Sequence, residues 1–127
     1  MKARLPSHLA TNERDAIQAY IARIRRRFPD SVLAVILFGS KARGYAASDE
    51  MREESDIDLF VLMDEENEAI CSELWGIASD ISLAYDVLLS VRVYGRERWA
   101  ESERIRLPLY RAIVGEGIPL MSNRTPA

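Results

Sequence analysis

The run Val32-Leu33-Ala34-Val35-Ile36-Leu37-Phe38-Gly39 constrains this chain more than any other feature. Nearly unbroken apolar residues cannot alternate between core and water, so the run predicts a strand buried on both faces. Such a strand needs cover above and below, and helical patterns lie on either side of it. From Thr11 onward, Ile17, Tyr20, Ile21, Ile24 and Phe28 fall on one face. Glu13 and Asp15 sit in the first turn of that helix and Arg25, Arg26 and Arg27 in the last, each charge opposing the adjacent end of the dipole. Pro29-Asp30 ends it. Further on, Asp64-Glu65-Glu66-Asn67 reads as a helix start, with Ile70, Leu74, Ile77, Ala78 and Ile81 as its buried stripe. Strands are expected over residues 56–63 and 85–94, the latter with Val87, Leu89, Val91 and Val93 on one side. Two short helices are expected over residues 96–102 and 107–116. Strands interleaved with helices imply an α/β (α+β) fold, a small sheet flanked by helices. Little helix separates the first two strands, so an antiparallel pair and a mixed sheet are expected.

With 127 residues, no internal repeat and no interior linker, the chain reads as one domain, its core over about residues 12–121 and a flexible tail over 122–127. A net charge of −3 weighs against a dedicated nucleic-acid binder. Cys71 is the only cysteine, which excludes an intrachain disulfide and a Cys-based zinc site. His8 is the only histidine, so a metal here would be held by oxygen ligands, and a His-based triad is excluded. No apolar run approaches the roughly 18 residues that span a bilayer. The start MKARLPSHLA lacks the apolar stretch of a secretory signal, so a cytoplasmic location is expected.

Side chains alternate across a strand, so Asp56 and Asp58 would share one face about 7 Å apart along the chain. Carboxylates that close repel each other, and a divalent cation relieves the repulsion. A solvated strand end would have the same spacing. Gly39-Ser40 adds a second element: glycine lets backbone approach a ligand closely, and the helical turn opened by Ser40 presents N–H groups to an anion. A plain strand-to-helix turn capped by serine would look the same, and P-loop spacing is absent.

Phe38-Gly39-Ser40-Lys41-Ala42-Arg43-Gly44 followed by Ser55-Asp56-Ile57-Asp58-Leu59 resembles the Gly-Ser…Asp-x-Asp signature of the DNA polymerase β-like nucleotidyltransferase superfamily. The small size, with Tyr110-Arg111-Ala112-Ile113 and Gly117-Ile118-Pro119-Leu120 near the end, resembles its minimal nucleotidyltransferase (MNT) branch. The likeness covers residues 32–120. One departure is the 15 residues between Ser40 and Asp56, a longer spacing than that branch usually has, with the excess in the acidic stretch 45–54.

The resemblance implies nucleotidyl transfer from ATP to a hydroxyl at a site with two Mg²⁺ ions. Asp56 and Asp58 would bridge both ions, and the family pattern asks for a third carboxylate on a neighbouring strand. Asp86, at the start of the expected strand 85–94, is the candidate; Asp80 competes but falls within a helical pattern. Gly39 and Ser40 would hold the triphosphate. Lys41 and Arg43 are further nucleotide-binding candidates, each equally able to pair with local acids. Ser90, Arg92 and Tyr94 share the expected Asp86 face and make a candidate surface for an acceptor. The chain beyond Tyr94 is short, which implies an acceptor on a separate molecule. Proteins of the MNT branch commonly pair with a HEPN-domain ribonuclease, and several act as antitoxins that adenylylate a tyrosine of that toxin. The alternatives are an antitoxin acting by occlusion without catalysis, and a small-molecule nucleotidyltransferase. Arg23, Arg25, Arg26 and Arg27 read as a solvated helix face, and direct nucleic-acid binding is not expected.

Overall fold

In the computed structural model, which describes residues 5–43 and 56–122, the apolar run becomes strand β1 (Val32–Phe38). Helix α1 (Thr11–Arg27) precedes it and the single turn α2 (Ser40–Arg43) follows. Next come β2 (Ile57–Met63), α3 (Glu68–Tyr85) and β3 (Leu89–Gly95). The chain continues through α4 (Arg96–Arg104), α5 (Pro108–Glu116) and β4 (Ile118–Ser122). The strands form one sheet in the order β3-β2-β1-β4. β1 runs antiparallel to β2 and to β4, whereas β2 and β3 are parallel and joined by the crossover helix α3. The sheet is mixed, as the sequence implies.

Each face of the sheet has its own cover. On one face Val35, Leu37, Leu59, Val61 and Val93 pack beneath Ile17, Tyr20 and Ile24 of α1 and Leu74, Ile77 and Ile81 of α3. Tyr20 is fully buried there, and its hydroxyl donates to the Leu74 carbonyl at 3.1 Å, which satisfies the one polar atom it brings into the core. On the other face Ile36, Phe38, Phe60, Leu62 and Tyr94 meet Trp99 of α4 and Leu109 and Ile113 of α5. That second cover is the smaller one and leaves the Asp58 end of the face polar.

Two expectations are corrected. The third strand begins at Leu89 rather than Tyr85, because Tyr85 closes α3 and Asp86 caps it in the left-handed conformation (φ 56°, ψ 50°). Val87 N–H then turns back to the Ser82 carbonyl at 3.1 Å. Strand β4 was not expected; it carries Pro119 on an edge of the sheet, where a missing N–H costs least. The acidic stretch 45–54 and residues 123–127 of the expected tail lie outside the described residues, whereas Ser122 belongs to β4. Among the described residues no helix is long and apolar enough to cross a membrane.

Candidate active site

The β1–β2 register pairs Phe38 with Asp58, so the end of the buried strand meets the start of the acidic one. Gly39 follows Phe38 with φ 77°, a conformation that costs an L-side chain about 1–2 kcal/mol. A Cβ at this position would also lie 2.3 Å from Asp58 Oδ2. Glycine is therefore required twice, once for the backbone and once for the carboxylate packed against it. The Gly39 carbonyl accepts from the N–H groups of Ala42 and Arg43 at 3.1 and 3.2 Å, which closes α2 as a helical turn. Ser40 opens that turn, and among the described residues nothing takes up its hydroxyl.

Asp58 is half-buried and lies in register with Ser90 of β3, so Ser90, Arg92 and Tyr94 share its face of the sheet. Burial raises the pKa of the Asp58 carboxyl, and the neighbouring Asp56 raises it further. The cations Arg92 and Arg43 act in the opposite direction, and Glu116 adds another upward push. The polar face expected on β3 therefore belongs with Asp58.

The structure does not bring Asp86 to this group. It sits at the C-terminal cap of α3, where Asn12 Nδ2 donates to its carbonyl at 3.3 Å and to that of Tyr85 at 3.1 Å. Its charge is not among those acting on Asp58. Among the described residues no three carboxylate, His or Cys groups converge as a metal cage. The strand parity that placed Asp86 beside Asp58 fails because the helix runs through Tyr85.

Of the two alternatives open for Lys41, the structure shows pairing with an acid. It is 2% exposed, and its ammonium lies 2.5 Å from Glu13 of α1. The other oxygen of Glu13 accepts from the Ala10 N–H at 2.8 Å, so one carboxylate caps α1 and pairs with α2. His8 Nε2–H donates to the Lys41 carbonyl, which gives the only histidine a structural task. Glu13→Gln keeps the cap acceptor but removes the charge facing a buried ammonium, and is expected to cost about 3 kcal/mol in urea unfolding. Adding Lys41→Met should restore most of that loss; a double variant as unstable as the single one would contradict this account.

Arg43 emerges on the opposite side of α2, about 40% exposed, and pairs with Glu116 at 2.7 Å. The same Glu116 oxygen accepts from the Gly39 N–H at 2.8 Å. Sequence reasoning missed Glu116. Its signal is faint: an acidic residue between Gly115 and Gly117, at the helix end where the dipole disfavours a negative charge.

The donor set suits a hard divalent cation of the Mg²⁺ kind. Such an ion takes one or two carboxylates and fills its remaining positions with water and substrate phosphates. Asp56 and Asp58 would supply those carboxylates, and a cation would relieve the repulsion that, after burial, raises Asp58. A cleft of about 560 Å³ opens at the far end of β2, but its arginines are already matched: Arg96 lies 2.8 Å from Asp64, and Arg98 lies 3.7 Å from Glu66.

Comparison with known proteins bears on the same residues. A family model described as polymerase beta, nucleotidyltransferase matches residues 20–124. A Methanocaldococcus jannaschii protein, provisionally named a protein adenylyltransferase, is 26% identical over 106 residues, or 84% of this chain and 95% of that protein. One solved chain, from a toxin–antitoxin complex with AMP-PNP, superposes with a TM-score of 0.56 at 20% identity, covering 84% of this chain and 74% of its own. Another, from tri-AMPylated Shewanella oneidensis HEPN toxin in complex with MNT antitoxin, gives 0.53 at 19% identity, covering 89% and 74%. At such identities the two structures speak for the fold. The family match takes in both the Gly39-Ser40 turn and Asp56-Ile57-Asp58, and by it the chain belongs to the polymerase β nucleotidyltransferase family.

Proposed function

We propose that this nucleotidyltransferase moves AMP from ATP to a hydroxyl on a partner protein, with Mg²⁺ held by Asp56 and Asp58, and that the partner is a HEPN-domain toxin which it restrains as an antitoxin. The observation that carries the reading is the packing of Asp58 Oδ2 against Gly39, which sets a carboxylate directly beside a turn suited to phosphate. The Jannaschii relative, aligned over nearly its full length, is named for transfer to protein, and the Shewanella complex is named for an AMPylated HEPN toxin. Both names favour a protein acceptor here.

In this reading the acceptor hydroxyl attacks the α-phosphorus of ATP, the bond to the bridging oxygen breaks, and pyrophosphate leaves. Ser40 donates its hydroxyl to the phosphate tail, and the first N–H groups of α2 face the same anion. Arg43 adds a positive charge beside the turn. Asp56 and Asp58 would hold Mg²⁺, which when bound would supply charge neutralisation at the phosphates and a more acidic acceptor hydroxyl. Because His8 is engaged at the Lys41 carbonyl, a carboxylate rather than an imidazole would receive the hydroxyl proton. The exposed Arg92, in register with Phe60 of β2, lies where an incoming acceptor would meet the face.

The test is incubation with α-labelled ATP, Mg²⁺ and a HEPN-domain protein encoded beside this chain. Label should appear on the partner and disappear with Asp58→Ala. Neutralisation of the partner that survives Asp58→Ala without any label would instead establish occlusion, and transfer only to small molecules would reject the protein acceptor.

A further inference from the structure

We infer that Glu116 is a positioning residue for the nucleotide site: its carboxylate fixes Arg43 beside the Gly39 turn and holds that guanidinium away from Asp58. This rests on the proposed reading of the turn as the phosphate seat. One Glu116 oxygen accepts from two donors, the Gly39 N–H at 2.8 Å and Arg43 Nη1 at 2.7 Å. The link joins the last residue of α5 to a turn more than seventy residues earlier in the chain.

The carboxylate is costly where it stands. It ends a helix, at the negative pole of the dipole, and its charge acts unfavourably on Asp58. Arg43 and the Gly39 N–H offset that cost. The fold also fixes its reach. Gly117 N–H donates to the Ile113 carbonyl at 2.8 Å, and a Cβ at Gly117 would lie 2.4 Å from that carbonyl oxygen and 2.7 Å from Ile36 Cγ2. The backbone just past Glu116 is therefore pressed against β1, and Ile113 anchors α5 in the second core. A carboxylate delivered this rigidly can hold a long, partly exposed arginine in one place.

The alternative destination for Arg43 is the metal site. Its charge already acts on Asp58. Freed from Glu116, the guanidinium would be drawn to that carboxylate, occupying an oxygen meant for the cation and withdrawing a positive charge from the phosphates. Glu116 thus serves two needs with one group, a fixed cation for the nucleotide and an open carboxylate for Mg²⁺.

The experiment measures the affinity of the full chain for a fluorescent ATP analogue across a Mg²⁺ titration, in wild type, Glu116→Gln, Glu116→Ala, Arg43→Ala and the double variant Glu116→Ala/Arg43→Ala. Both Glu116 variants are expected to weaken nucleotide binding about tenfold, the scale of one charge-assisted contact, and to need more Mg²⁺ for half-saturation. In transfer assays KM for ATP should rise far more than kcat falls. The double variant should bind no worse than Arg43→Ala alone, since Glu116 acts through that arginine. Should the alanine variant not fold, the near-isosteric glutamine carries the comparison. Tighter binding in the Glu116 variants would overturn the inference by making the carboxylate a competitor of phosphate. Unchanged binding, or a full additional loss on the Arg43→Ala background, would overturn it as well. Wild-type protein that binds no ATP is a different outcome, and takes down the underlying reading together with this inference.

Discussion

Asp58→Asn is expected to lower nucleotidyl transfer by roughly a thousandfold, the scale on which removal of a preorganised charge at a reacting centre acts, and at the same time to raise the melting temperature at neutral pH. The two effects have one origin. Asp58 is half-buried beside Asp56, and both circumstances raise its pKa above the ordinary carboxylate range. The fold therefore disfavours its charged form. Below the ordinary range the group is neutral in folded and unfolded chains alike and contributes nothing. As pH rises through the unfolded and then the raised folded pKa, ionisation destabilises the metal-free fold, and above both the loss is complete. Asparagine has nearly the same shape and no charge, so its advantage should be present at neutral pH and fade in acid. Thermal unfolding of metal-free protein at neutral and strongly acidic pH checks the sign. Equal melting at neutral pH, or a gain that persists in acid, would show that the charge is not the source. Added Mg²⁺ should reverse the order by stabilising wild type more than the variant.

Much of this arrangement is readable from local pattern. The apolar run at Val32 and the periodic stripe through Ile17, Tyr20 and Ile24 need only alternation and helical spacing, and both became elements close to the expected limits. Gly39 and Asp58 were legible because a special residue type stands at a strand end in each case. What was not legible depends on geometry that spacing hides. Val87, Leu89, Val91 and Val93 alternate as a strand would, yet Asp86 ends a helix by taking the left-handed conformation without a glycine, a role that aspartate tolerates. Lys41 and Arg43 look equivalent in sequence. Two residues apart on a helical turn they point about 200° apart, so one enters the α1 interface while the other reaches the site. Glu116 belongs to the site only because β4 folds back beside β1, and Pro119 disguised that strand.

Gly39→Ala tests the closest packing in the site, and it should harm both stability and transfer. Alanine at φ 77° carries the left-handed penalty of about 1–2 kcal/mol wherever it stands. Here the new methyl would also lie 2.3 Å from Asp58 Oδ2 and 3.2 Å from its carboxyl carbon, so the carboxylate must leave its place. Transfer should then fall nearly as far as in Asp58→Asn, because the group proposed to bind the cation is displaced rather than deleted. The two penalties can be separated. Asp58→Ala removes the carboxyl and leaves only its Cβ, at 3.4 Å from the added methyl, an ordinary contact. On that background Gly39→Ala should cost the backbone penalty alone, and on the wild-type background distinctly more; denaturant unfolding of the four proteins gives the difference directly. An equal cost on both backgrounds would mean that the glycine serves the turn and not the carboxylate. A larger cost beside Asp58 would mean that the missing side chain at residue 39 is what lets the Gly39 turn and the Asp58 strand meet, as the proposed site requires.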